Sequence, residues 1–178
     1  MTTDVFVYID SSVALRAALP HARRGVWRAW FDHTNATCDD IISARLLRTE
    51  VIRVLRRDAV PLIEGTKVLS RVRLLAVTDK TFSVAESIER HIKTLHALHL
   101  ATALLFDGPL IVATHDNTMR EVAAALALNA FDPVGDDAPL PIPGTCADGH
   151  TSPDPEPTPG APDPPISAPA DDIATGHS

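Results

Sequence analysis

Residues 4–20 read DVFVYIDSSVALRAALP. The run DVFVYI (4–9) is short, apolar and rich in β-forming residues, the pattern of a strand buried on both faces. It ends at Asp10, after which Ser11 or Ser12 can cap a helix that runs through Leu19 and stops near Pro20. The same grammar recurs. PLIVAT (109–114) is a second buried strand, followed by Asp116 and a helix over 117–127. DDII (39–42) is a third, with Ser43 capping the helix ARLLRTEVIRVLRRD. Between these lie a helix over 22–33 with Val26, Trp30 and Phe31 on one side, and a weaker helix in VPLIEGTKVLSRV (60–72). A strand in RLLAVT (73–78), helices near 80–91 and 94–106, and a short last strand near 130–134 complete the series. Strand and helix alternate throughout. That pattern predicts an α/β fold, a three-layer α/β/α sandwich with a central parallel sheet covered by helices on both faces.

Charge divides the chain of 178 residues, which has a formal net charge of −7. Up to Val134 there are 15 acidic and 16 basic residues, a net of +1; after it come 8 acidic and no basic residues, a net of −8. The segment after Val134 is rich in proline and has no apolar periodicity. It cannot bury enough surface to offset its ordering entropy, so residues 1–134 are expected to be one domain and 135–178 a disordered acidic tail. No apolar run approaches the roughly 20 residues that span a bilayer, so no membrane association is expected. The segment MTTDVFVYIDSS lacks the features of a secretory signal. Cys38 and Cys146 make neither a disulfide framework nor a zinc spacing, so a reducing cytoplasm is the expected setting.

In parallel α/β sheets, ligands bind beyond the carboxyl ends of the strands. Asp10 and Asp116 both stand there, although either alone could be no more than a helix N-cap. Glu50 lies on or beside the apolar face of its helix, with Leu47, Val51 and Val54 at −3, +1 and +4. A carboxylate so placed needs a partner: a metal, or an arginine such as Arg48 or Arg53. Three carboxylates from three separate elements suit Mg²⁺ or Mn²⁺, hard cations that favour oxygen ligands and can support phosphodiester cleavage.

YIDSSVAL (8–15), the Ser43–Glu50 helix with its trailing VLRR, LHALHLATAL (95–104) and VATHD (112–116) occur in the order seen in PIN domains. Over residues 4–134 the chain resembles the VapC-type ribonuclease toxins of type II toxin–antitoxin pairs. The resemblance implies an endoribonuclease that uses Mg²⁺ or Mn²⁺, acts on RNA, forms a homodimer and is held by a cognate antitoxin protein. By motif position it implies Asp10, Glu50 and Asp116 as metal ligands and catalytic residues, with Ser11 and Thr114 as supporting hydroxyls and His99 as a structural residue. One position departs from the family. Where the motif before HLA carries an Asp ligand, this chain has His96. An imidazole there removes a negative charge and is a softer ligand than Mg²⁺ prefers. His96 could ligate and favour Mn²⁺ or another transition ion, or the site could run on three carboxylates. Alternatively the domain could have lost catalysis and act as an RNA- or protein-binding module.

Arg45, Arg48 and Arg53 flank Glu50 on its helix and are candidate phosphate contacts, with Arg23, Arg24 and Arg28 as a second basic cluster; a solvated helix face is the plainer reading of either. The acidic tail could fold over this basic rim and compete with RNA, or be a solubilising extension. A nucleotide-binding α/β domain is a third reading, but the chain lacks a GxGxxG loop.

Overall fold

The computed structural model describes residues 5–37 and 40–133. Asp39, both cysteines, Val134 and the acidic tail thus lie outside the described residues.

Five strands, β1 (Phe6–Ile9), β2 (Asp40–Ala44), β3 (Arg73–Leu75), β4 (Leu110–Ala113) and β5 (Ala130–Phe131), form one sheet in the order β3-β2-β1-β4-β5. Every pairing is parallel. Val7 is opposite Ile41 on one side and Ile111 on the other. Parallel neighbours require crossovers, and seven helices supply them: α1 (Ser11–Ala18), α2 (Arg24–Thr37), α3 (Leu46–Arg57), α4 (Leu62–Leu69), α5 (Asp79–Glu86), α6 (Thr94–Leu104) and α7 (Asn117–Ala125).

The two-residue period of the strands sorts the core into two faces. Val7, Ile9, Ile41, Ile111 and Ala113 point to one side and pack with Val13, Ala14, Phe31, Leu47, Val51 and Leu55 from α1, α2 and α3. Tyr8, Ile42, Ala44 and Val112 point to the other and meet Leu100, Ala103, Met119 and Val122 from α6 and α7. The first two crossovers step outward from β1 to β2 and β3. The third returns across the sheet to β4, on the other side of β1. With right-handed connections, that reversal sends α1–α4 to one face and α5–α7 to the other. The three-layer sandwich expected from the alternation is the architecture observed.

Local details differ from the sequence reading. Ser43 is not the cap of α3. It is a fully buried residue of β2 whose hydroxyl donates to the Ile9 carbonyl at 2.6 Å, while Arg45 occupies the N-cap position and makes no side-chain cap bond. The N-cap of α1 is Asp10, and Ser11 and Ser12 already lie in its first turn. On α2, Trp27 is buried with Phe31 and Val26 is 51% exposed. The helix starts at Arg24, which turns the i, i+4 stripe onto Trp27 and Phe31. The helix expected over 80–91 ends at Glu86.

Candidate functional site

The chain leaves β1 toward β2 and later returns to β4 on the opposite side, so the carboxyl ends of β1 and β4 border the switch point where open α/β sheets form a crevice. Asp10 follows β1 directly. Asp116 lies three residues beyond the end of β4. Both carboxylates cap the helices that follow, accepting from Val13 N at 3.3 Å and Met119 N at 2.8 Å. The capping role considered for them in the sequence is therefore real, and each still has oxygen capacity beyond it.

Asp10 is fully buried. Its Oδ1 also accepts from the Ser12 hydroxyl at 2.6 Å, and its Oδ2 accepts from the Thr114 hydroxyl at 3.0 Å. Burial pushes its carboxyl above the ordinary value, more than the bonds from Ser12, Thr114 and Val13 can pull it back. Thr114 Oγ1 in turn accepts from the Asp116 backbone N–H at 3.1 Å, so this hydroxyl links the two aspartates. Asp116 Oδ2 lies 3.8 Å from His96 Nδ1, which reaches the crevice from the first turn of α6.

Glu50 arrives from the second turn of α3. Its Oε1 accepts from the Ser11 hydroxyl at 3.2 Å, and its Oε2 lies 2.8 Å from His99 Nε2. Burial raises the Glu50 carboxyl, but the hydrogen bond from His99, helped by the one from Ser11, outweighs it and leaves the group below its ordinary value. The partner is thus a histidine from α6 and not Arg48 or Arg53. His99 is fully buried, and its Nδ1 lies 3.0 Å from the Tyr8 hydroxyl.

All the expected residues of the constellation therefore fall into two short chains of contacts. One runs His96–Asp116–Thr114–Asp10, the other Ser11–Glu50–His99–Tyr8, and they meet where Asp10 joins Ser11. Sequence reasoning missed Ser12, which donates to Asp10 and accepts from the His115 backbone N–H at 3.0 Å. It also missed Tyr8, whose only signal was a hydroxyl in an otherwise apolar buried strand; such a group needs a partner.

In chemistry the donor set fits a hard divalent cation, since it offers three carboxylates and one imidazole. In spacing it stands open. Among the described residues no group of three or more His, Cys, Asp or Glu side chains is placed to hold one ion. Asp10 has both oxygens in hydrogen bonds and Asp116 has one, so taking up an ion would require some of these bonds to be exchanged.

Arg45, at the N-cap of α3, and Arg48 and Arg53 within it are exposed, and none forms a salt bridge among the described residues. The second basic cluster is differently employed. Arg24 and Arg28 both pair with Glu64 and both donate to the Ala17 carbonyl, so they tie α1, α2 and α4 together. Among the described residues, no helix is long and apolar enough to cross a membrane.

A family model described as PIN domain matches residues 7–125. Among solved structures, the chain is similar to VapC20 of Mycobacterium tuberculosis, described as a Sarcin-Ricin loop cleaving toxin, with 16% identity and a TM-score of 0.52. The match covers 67% of this chain and 94% of that one. At that identity the likeness speaks to the fold. No curated protein matches the sequence.

Proposed function

The chain belongs to the PIN domain family, and from that premise we propose that it is a metal-dependent endoribonuclease, the toxin of a toxin–antitoxin pair, acting in the cytoplasm. The observation that supports this reading is that Asp10, Glu50 and Asp116, from three separate elements, are linked through Ser11 and Thr114 at the carboxyl ends of β1 and β4. The description of the structural relative as a Sarcin-Ricin loop cleaving toxin supports RNA as the substrate.

In this reading Asp10, Glu50 and Asp116, with His96, would hold Mg²⁺ or Mn²⁺. The bound ion would supply an activated water and neutralise charge developing on the phosphodiester. The chain's own residues prepare that place. Ser11 and His99 hold the two oxygens of Glu50, Thr114 fixes Asp10 against Asp116, and the exposed Arg45, Arg48 and Arg53 offer charge to RNA phosphates. A cognate antitoxin and a homodimer belong to the same proposal and rest on the family alone.

The second reading, a catalytically impaired PIN domain that binds RNA or protein, is favoured by two observations: His96 stands where the resemblance expects an acid, and the side chains are not spaced around one ion. RNA cleavage under Mg²⁺ and Mn²⁺ titration separates the two. The nuclease reading expects cleavage, stronger with Mn²⁺, that is lost in Asp116→Asn, and at least tenfold more Mg²⁺-supported cleavage in His96→Asp. RNA binding without cleavage under either metal, in both wild type and His96→Asp, would establish the binding module instead.

A further inference from the structure

Tyr8 has no part in the proposed chemistry, yet it stands in line behind His99 and Glu50. Tyr8 lies in the middle of β1 and is fully buried. Its hydroxyl accepts from the Ala44 backbone N–H at 3.0 Å and lies 3.0 Å from His99 Nδ1. The nearby hydroxyls of Ser43 and Thr102 donate to the Ile9 and Leu98 carbonyls. Burial pushes the Tyr8 phenol well up, so it keeps its proton. A tyrosine hydroxyl has one hydrogen. With the Ala44 N–H occupying its acceptor side, that hydrogen is free to point at His99 Nδ1. An imidazole whose Nδ1 accepts must carry its proton on Nε2, and Nε2 is the atom 2.8 Å from Glu50 Oε2.

We infer that Tyr8 and His99 are positioning residues for Glu50: Tyr8 donates to His99 Nδ1 and so fixes the ring with its N–H at Nε2, and that N–H holds the Glu50 carboxylate against Ser11 at the mouth of the crevice. The inference deepens the proposed metal site and rests on it for its purpose, but the hydrogen-bond polarity stands by itself. Both residues are anchored by the sheet and by α6, so the carboxylate is set by the core and not by the loops around it. Outer partners of this kind orient ligands that would otherwise rotate, and their loss costs about 10–100-fold in metal affinity or activity.

The experiment uses the full chain labelled with ¹⁵N. The side-chain nitrogens of His99 should report the proton on Nε2 and an accepting Nδ1, and Tyr8→Phe should abolish that preference. An Nδ1–H ring, an imidazolium, or an unchanged tautomer in Tyr8→Phe would overturn the inference. His99→Gln keeps an N–H donor of similar reach, whereas His99→Leu does not. Mn²⁺ affinity measured by calorimetry should stay within a few-fold of wild type in His99→Gln and fall about 10–100-fold in His99→Leu. Equal affinity in the two variants would also overturn it. Should His99→Leu fail to fold, the tautomer of the wild type and of Tyr8→Phe decides alone. Failure of the nuclease reading looks different: no RNA is cut, while the tautomer and the Gln–Leu difference remain.

Discussion

Asp10 places a fully buried carboxylate at the end of a strand, where burial holds its pKa above the ordinary value. The folded state therefore binds this proton more tightly than the unfolded chain does. The contribution of Asp10 to stability is greatest below its unfolded pKa and is lost as pH rises through the folded one. At neutral pH and above, the charge is a burden on the fold, as groups kept for chemistry often are. Asp10→Asn retains an oxygen to cap α1 and removes the charge. It should raise stability at pH 8 by about 1 kcal/mol, or about 4 °C in Tm, with the gain vanishing in acid, and it should abolish cleavage. Thermal melts in EDTA across pH check the first part; a lower Tm at pH 8 would show that Asp10 is held by more than it costs. Asp10 and Asp116 were legible in the sequence because a strand end followed by an acid is a local pattern. The pairing of Glu50 with His99 was not, because it spans 49 residues and depends on how α3 and α6 sit over the sheet. A nearby arginine looked the equal partner until the fold decided.

At the scale of elements, the α3–α4 and α1–α2–α4 contacts show what periodicity can and cannot say. The helices were readable from their apolar spacing, but the close approach of α4 to α3 was not. It depends on Gly65, where a Cβ would lie 2.5 Å from Leu55 Cδ1 and 3.1 Å from Val51 Cγ1. Leu55 and Val51 are fully buried, so any shift of the Leu55 side chain must be taken up within the core. Overpacking of this kind costs about 1–3 kcal/mol, while a helical alanine returns at most about 1 kcal/mol. Gly65→Ala should thus be net destabilising in urea unfolding, and an unchanged midpoint would mean that Leu55 repacks freely. Beside it, Glu64 gathers Lys67, Arg24 and Arg28. Led by the Lys67 bond, they hold its carboxyl down to about 2. A depressed carboxyl contributes stability above its unfolded pKa and loses it as pH falls through the folded value. Wild type should therefore shed this contribution between the ordinary carboxyl value of 4.5 and about 2, whereas Glu64→Gln should lack it at neutral pH and show a flatter acid limb. Identical acid limbs would show that the clamp is not felt. The sequence offered Arg24 and Arg28 as RNA contacts because basic residues look alike in one dimension; the fold gives them a carboxylate and a carbonyl to hold.

For the whole molecule, the alternation of strands and helices was enough to give the three layers, since parallel neighbours and right-handed crossovers leave few arrangements. Net charge was a poorer guide. The figure of −7 belongs to no single surface, because the acidic excess lies after Val134 and residues 1–134 are near neutral. What matters for RNA is which cations remain without a partner once the chain has folded. Arg24 and Arg28 are paired with Glu64, Arg71 with Asp32 and Arg73 with Asp40, whereas Arg45, Arg48 and Arg53 are exposed on the helix that carries Glu50 and form no such pairs among the described residues. If these three meet phosphates, each releases counterions, and the slope of log affinity against log salt should change by about 0.7 per contact for single-stranded RNA. Replacing all three by alanine should reduce the slope by about 2 and weaken binding similarly for different RNA sequences, because phosphate contacts carry no sequence information. The measurement is RNA binding in EDTA across a salt series, so that cleavage does not intervene. Replacing Arg24 and Arg28 serves as the comparison and should leave the slope nearly unchanged. A slope that responds to Arg24 and Arg28 and not to the other three arginines would move the RNA path from the β1/β4 crevice to the junction of α1, α2 and α4.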